Sequence, residues 1–209
     1  VSPISRYLAP ALAIACLSVL PLAAEQHADR ATEPKPDFES LDAKRLSEDK
    51  ASYHYTELKD EMREGYARSE LAAASSYQDW RRYNEAPYLS QMHGSRYVNN
   101  YANEAARGYG QGEDAPAMPP GAVIAKDSFA FTNDGRVYPD SLFLMEKLEA
   151  GANPATADWR YVMVSPEGAV IGDSTGANPR RVDFCHGCHR AMDENDYLFH
   201  VPDDYSTMR

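Results

Sequence analysis

Cysteine is scarce in this chain, with 3 in 209 residues, so at most one intramolecular disulfide can form. Positive charge is also in deficit. The formal net charge of -11 removes any electrostatic case for nucleic acid or an anionic lipid surface. Proline is missing from Ser40 to Asn84, which leaves that stretch without the residue that most strongly breaks helices. No internal repeat and no long low-complexity tract is present. Long apolar runs are limited to one, from about Tyr7 to Ala24, preceded by Arg6 and closed by small residues before Glu25.

That run reads as a secretory signal peptide over residues 1–24. A retained anchor is the competing reading, because a span needs roughly 20 apolar residues. Pro10, Pro21 and the Leu-Ala-Ala end favour cleavage, so no permanent membrane anchor is expected and the protein is placed in the periplasm or outside the cell. Cleavage would remove Cys16 and one positive charge, moving the formal charge from -11 to about -12. The only thiols left would be Cys185 and Cys188.

Residues 25–40, EQHADRATEPKPDFES, are polar and proline-bearing and read as a flexible segment. Residues 41–76 are rich in Glu, Lys, Ala and Leu and read as a helical extension, and the helical composition runs on to about Asn84 with a break near Gly65. Tyr55, Leu58, Met62 and Tyr66 recur at helical spacing and form one packed face. A turn at His93-Gly94 is followed by a predicted helix from Tyr97 to Arg107, stopped by Gly108, Gly110 and Gly112. Beyond MPPG the texture changes. AVIAKDSFAFT and DSLFLMEKLEA are candidate strands around the turn NDGR, and DWRYVMV and GAVIGDS flank a hairpin turn at Ser-Pro-Glu-Gly. Helices followed by a mostly antiparallel sheet make the fold class α+β.

The chemistry concentrates near the C-terminus in FCHGCHRAMD. Cys185-His186-Gly187-Cys188-His189 fits Cys-x-x-Cys-His, the attachment signature of a c-type haem. Two thiols three positions apart on a helical turn can each add to one haem vinyl group, while the next residue offers its imidazole to the iron. Cys185 and Cys188 are then the covalent anchors of one haem, and His189 is the iron ligand. Zinc is an alternative, although structural sites draw their second ligand pair from a distant segment, with His200 available here. A thioredoxin-like redox pair would sit at a helix start after a strand, and a plain disulfide would need no histidines. Export agrees with haem.

Around this motif the chain resembles the cytochrome P460 family, which includes the β-type cytochromes c prime. The resemblance runs from Tyr77 to Arg209. It is carried by YQDWRRYNEAPYLSQMHGSRYVNNYANEAA, MPPGAVIAKDSF, FLMEKLEAG, DWRYVMVSPEGAV, and FCHGCH with its tail DENDYLFHVPDDY. It implies a haem domain over residues 77–209, often dimeric, with a five-coordinate iron whose open face takes small nitrogen ligands. Members with the P460 chromophore carry a lysine cross-linked to the haem and oxidise hydroxylamine or related species; those without it bind nitric oxide and similar gases. Lys126, in PPGAVIAKDSF, is the residue that matches as a candidate cross-link, and Lys147 is its alternative.

Three functions follow. The chain is an oxidoreductase acting on hydroxylamine or nitric oxide, a gas-binding cytochrome without turnover, or a six-coordinate electron carrier with an unidentified redox partner protein. The third would need a sixth ligand, for which Met118 and Met163 are candidates, Met192 being too close to the motif. His93 is a candidate distal ligand, although its place before glycine suits a structural role. Phe129 and Phe131, across the strand from Lys126, are candidates for an apolar haem wall or for the core. Asp127, Glu146 and Asp173 are the candidate proton acceptors.

Overall fold

The computed structural model describes residues 45–111 and 116–208. The leader at 1–24 with Cys16, and the polar segment at 25–40, lie outside the described residues. Two helices come first, α1 (Glu48–Ala67) and α2 (Ala72–Ser76). Eight strands follow: β1 (Arg81–Arg82), β2 (Tyr88–Ser90), β3 (Arg96–Ala102), β4 (Val123–Phe131), β5 (Val137–Pro139), β6 (Leu142–Lys147), β7 (Trp159–Val164) and β8 (Val170–Asp173). Helix α3 (Asp183–His189) then carries the cysteine motif. The strands form one sheet of order β1-β3-β4-β6-β7-β8, with β2 also on β3 and β5 also on β4. Each pairing is antiparallel, as the α+β reading requires.

Helix α1 forms because a proline-free run places Ala51, Tyr55, Met62 and Tyr66 on one buried stripe, with Leu58 partly covered beside them. Glu48 and Asp49 in its first turn complement the helix dipole. The stripe packs on Tyr97, Tyr101, Phe129 and Val164 of the sheet. Full burial of a side chain such as Met62 is worth about 1.5–3 kcal/mol. The described part of this stretch, residues 45–76, therefore covers one face of the sheet.

The expected break at Gly65 does not occur, since α1 continues to Ala67. Gly65 has another purpose: a Cβ there would stand 2.0 Å from the carbonyl oxygen of Pro166 in the β7–β8 turn. On the turn's side Gly168, at φ 89°, would bring a Cβ within 2.7 Å of the Gly65 carbonyl oxygen. Both glycines let helix and hairpin touch through backbone. The Ser-Pro-Glu-Gly hairpin is as expected, closed by Gly168 N–H donating to the Ser165 carbonyl at 2.9 Å.

The helix expected over Tyr97–Arg107 is instead the strand β3 followed by a single 3₁₀ turn at Glu104–Ala106. Its residues alternate, with Tyr97 and Tyr101 toward the helices and Val98 and Ala102 toward the opposite face. All seven are buried. The ladder to β4 and side-chain partners for Asn99 and Asn100 outweigh local helix propensity.

Alternation gives the sheet two faces. Ala125, Phe129, Leu142, Val162 and Val164 face the helices. Val98, Ile124, Met145, Trp159, Tyr161 and Met163 face the other way, under Tyr83, Tyr109, Met118 and the C-terminal tail at Leu198 and Val201. Two buried ion pairs secure this arrangement: Arg96 with Asp140 at 2.7 Å, and Lys147 with Asp196 at 2.6 Å.

Candidate functional site

On the face away from α1 the sheet stops short of α3 and the tail, leaving a cleft of about 200 Å3. Strand β4 contributes Ile124 and Lys126, β6 contributes Phe143 and Met145, and β7 contributes Tyr161. Helix α3 contributes Phe184, Cys185, Cys188 and His189, and the tail closes the side with Leu198, Phe199 and His200.

Residues 185, 188 and 189 stand at i, i+3 and i+4 and so share one stripe of α3. That stripe faces the cleft. Gly187 faces open space, and the His186 ring stacks on Tyr197 at 5.5 Å. His189 Nδ1 lies 2.7 Å from the Tyr197 carbonyl oxygen. A carbonyl only accepts, so Nδ1 carries the proton and Nε2 keeps its lone pair. Burial lowers the His189 pKa to about 4, with Lys126 and His186 adding to the effect, so the ring is neutral at physiological pH. Burial also pushes the Cys185 thiol up to about 12. A thioredoxin-like redox cysteine needs the opposite shift. Among the described residues no group of three or more His, Cys, Asp or Glu is arranged to hold a metal ion, as a zinc site would require.

Lys126 projects from β4 into the same cleft. Desolvation drops its pKa to about 8, opposed only by Cys188. Its Nζ is 3.5 Å from His93 Nε2. Sequence reasoning favoured a structural place for His93, yet the structure sets it on the cleft wall.

The remaining candidates lie elsewhere. Lys147 points away and bonds Asp196 and the Ala157 carbonyl. Phe129 is in the core beneath α1, and Phe131 stacks on His54 at 5.8 Å, so neither walls the cleft. Met118 and Met163 are buried in the core, whereas Met92 and Met145 line the cleft. None of the three candidate proton acceptors lines it. Asp127 faces the helices, while Glu146 and Asp173 both bind Arg160, at 2.8 and 2.7 Å.

Sequence reasoning missed Tyr88, Tyr109, Phe143 and Tyr161, and named His200 only as a possible zinc ligand. For Phe143 and Tyr161 a signal existed: they share the strand face that alternation assigns to Met145 and Met163. The place of His200 on the cleft wall depends on the fold of the tail.

The lining also tests for a haem directly. Asn195 Nδ2 donates to the Leu198 carbonyl at 2.5 Å, and the same nitrogen is 3.0 Å from His200 Nε2. Nε2 must therefore accept, which leaves the proton on Nδ1. That Nδ1 and the Tyr161 hydroxyl are both buried with no hydrogen-bond partner among the described residues. Unpaired donors in an apolar cleft are costly unless an occupant supplies acceptors. A largely apolar ring bearing carboxylates, held by two thiols and a neutral imidazole, meets each of these conditions.

No curated protein matches the chain. A family model does: Cytochrome P460 matches residues 74–200, from α2 through the cysteine motif to His200. With well over half the chain matched, and the donors its cofactor needs gathered on one wall, the chain belongs to the cytochrome P460 family, which implies a c-type haem and its iron.

Proposed function

We propose that this chain carries one covalently bound haem, anchored through Cys185 and Cys188 and ligated by His189. Its open face takes small nitrogen species, hydroxylamine or nitric oxide, with oxidation of hydroxylamine as its activity. The observation that carries this reading is His189: its Nδ1–H is committed to the Tyr197 carbonyl, and it lies in the same cleft as both thiols. When bound, the haem supplies an iron that accepts electrons from such a ligand and passes them on.

The chain's own residues do the rest. Tyr197 fixes the orientation and basicity of His189. Phe199 packs edge-on against that imidazole at 5.3 Å and limits its rotation. Phe143, Met145 and Ile124 keep the cleft apolar and restrict water. Lys126 is the candidate for a cross-link to the haem, because it is half-buried on the cleft wall and its depressed pKa raises the fraction of free amine. The protein would act in the periplasm or outside the cell, give its electrons to a redox partner protein, and form the dimer usual in the family.

The test is the absorption spectrum of the haem-loaded protein, ferric and dithionite-reduced, beside Lys126→Ala, with hydroxylamine turnover followed in both. A ferrous band far to the red of an ordinary c-type Soret, lost with turnover in the variant, is the expected result. Ordinary c-type spectra in both proteins would remove the cross-link and leave a gas-binding cytochrome.

A further inference from the structure

Oxidising a hydroxylamine, or binding any ligand that arrives protonated, requires a group that takes the proton. Among the described residues the cleft offers no carboxylate for this. Of its other polar groups, the Tyr88 hydroxyl donates to Asn100 Oδ1 and the Tyr109 hydroxyl donates to the Phe199 carbonyl. His200 Nε2 is used in accepting from Asn195. His189 Nε2 is assigned to the iron. Burial holds the Tyr161 hydroxyl in its protonated form and Lys126 is assigned to the haem cross-link, so among the described residues the acceptor that remains is His93.

Its position is built by the fold. The chain leaves β2 through a 3₁₀ turn at Gln91–His93 and reverses at Gly94, whose φ of 71° places it in the left-handed region that glycine tolerates. The Arg96 guanidinium, itself paired with Asp140, donates to the carbonyls of His93 at 3.3 Å and Gly94 at 3.0 Å. The imidazole packs edge-on against Phe143 at 5.1 Å. On one side Nδ1 is 2.8 Å from Ser90 Oγ, and on the other Nε2 is 3.5 Å from Lys126 Nζ. Ser90 Oγ is close enough to accept from Nδ1–H, and the contact to Lys126, whose nitrogen is assigned to the haem, is long, which leaves the Nε2 lone pair open.

Resting on the haem reading above, we propose that His93 is the proton acceptor of the open face. A weakly acidic ligand H–X entering the cleft gives its proton to Nε2 as X binds. The Nδ1 proton then leaves through Ser90 Oγ toward water at the cleft rim, where Met92 is 71% exposed. One proton leaves the ligand, one reaches solvent, and no electron moves in this step. The charged or titratable groups around His93 are Lys126 from β4, Arg96 from β3 and His189 from α3. Burial first, then the neighbouring cations, lower the His93 pKa, so the ring is neutral and a proton taken at Nε2 is not held but balanced by release from Nδ1 to Ser90.

The probe is hydrogen cyanide, which is protonated at neutral pH and loses its proton on binding ferric haem. Nitric oxide binding to the ferrous protein, which transfers no proton, is the control. Stopped-flow association is compared in the haem-loaded native protein, His93→Phe and His93→Gln. Cyanide association is expected to slow roughly 100-fold in both variants, within the range of general-base effects, with nitric oxide association unchanged or faster. Native association should also show a normal solvent deuterium isotope effect, a measurement that needs no variant. Unchanged cyanide rates, or no isotope effect, would overturn the proposal while leaving the open face intact. A native protein that binds neither ligand until His93 is replaced would make His93 an iron ligand, overturning this inference and the open-face reading together.

Discussion

Neighbouring residues of β4 carry opposite charges on opposite faces of the sheet, Asp127 fully buried and Lys126 half-buried. Asp127, toward the helices, accepts from Tyr55 at 2.9 Å, Tyr77 at 3.0 Å and Asn99 at 3.0 Å, and a further Tyr55–Tyr101 hydroxyl contact of 2.5 Å extends the network. Lys126, toward the cleft, has among the described residues only the long contact to His93. Nearby on the cleft face, the Tyr161 hydroxyl and His200 Nδ1 lack partners among the described residues. One face is therefore closed upon itself and the other is arranged for an occupant. The difference separates a polar network that holds the fold together from one left for a ligand to complete.

Removing what the cleft side is for should produce the largest effect. In protein matured with haem, Cys185→Ala together with Cys188→Ala is expected to abolish the covalent adduct in denaturing mass spectrometry, while each single variant keeps one thioether. A retained covalent haem in the double variant would break the comparison, because the cleft would then not be the attachment site.

On the helix face the expected effect is on stability, with a defined pH sign. Burial raises the Asp127 pKa from 3.8 to about 6, against the lowering by its three donors. With the folded value above the unfolded one, its contribution is fully present below about pH 4 and is lost as pH rises through about 6. The shift corresponds to about 3 kcal/mol. Chemical denaturation of the native protein and Asp127→Asn between those pH values should show their difference changing by that order, with the native protein relatively favoured at the acid end. Ligand binding at the haem should not follow this titration.

A smaller effect sharpens the contrast. Tyr161→Phe removes a buried hydroxyl that has no partner among the described residues, so stability of the haem-free protein should be unchanged or rise by about 1 kcal/mol. The haem-loaded form should lose stability instead, as read by thermal unfolding followed at the haem band. A loss of equal size in both forms would mean that the hydroxyl serves the fold.

Much of this division was legible in the sequence. Period-two alternation along AVIAKDSFAF places Lys126 with Ile124 and puts Asp127 and Phe129 on the other face, and the i, i+3, i+4 spacing of Cys185, Cys188 and His189 fixes their common stripe. The three carboxylate candidates failed because nothing local records that Asp127 is enclosed by tyrosines from α1 and the turn that follows α2, or that Arg160 binds Glu146 and Asp173. Strand β3 was misread for a related reason. Asn99 and Asn100 look like surface residues until Asn84, Tyr88, Tyr109 and Asp127, all distant in the chain, supply their partners. Gly65 looked like a helix breaker because the backbone that approaches it belongs to a turn about a hundred residues later. Alternation and motif spacing are written locally, and polar satisfaction is not.

The central claim is an iron held by His189 with its opposite face open. The most direct measurement is the electron paramagnetic resonance spectrum of the ferric, haem-loaded protein at neutral pH, without added ligand. A high-spin signal is the predicted result. A low-spin signal would show a second strong protein ligand on the iron and would contradict the account.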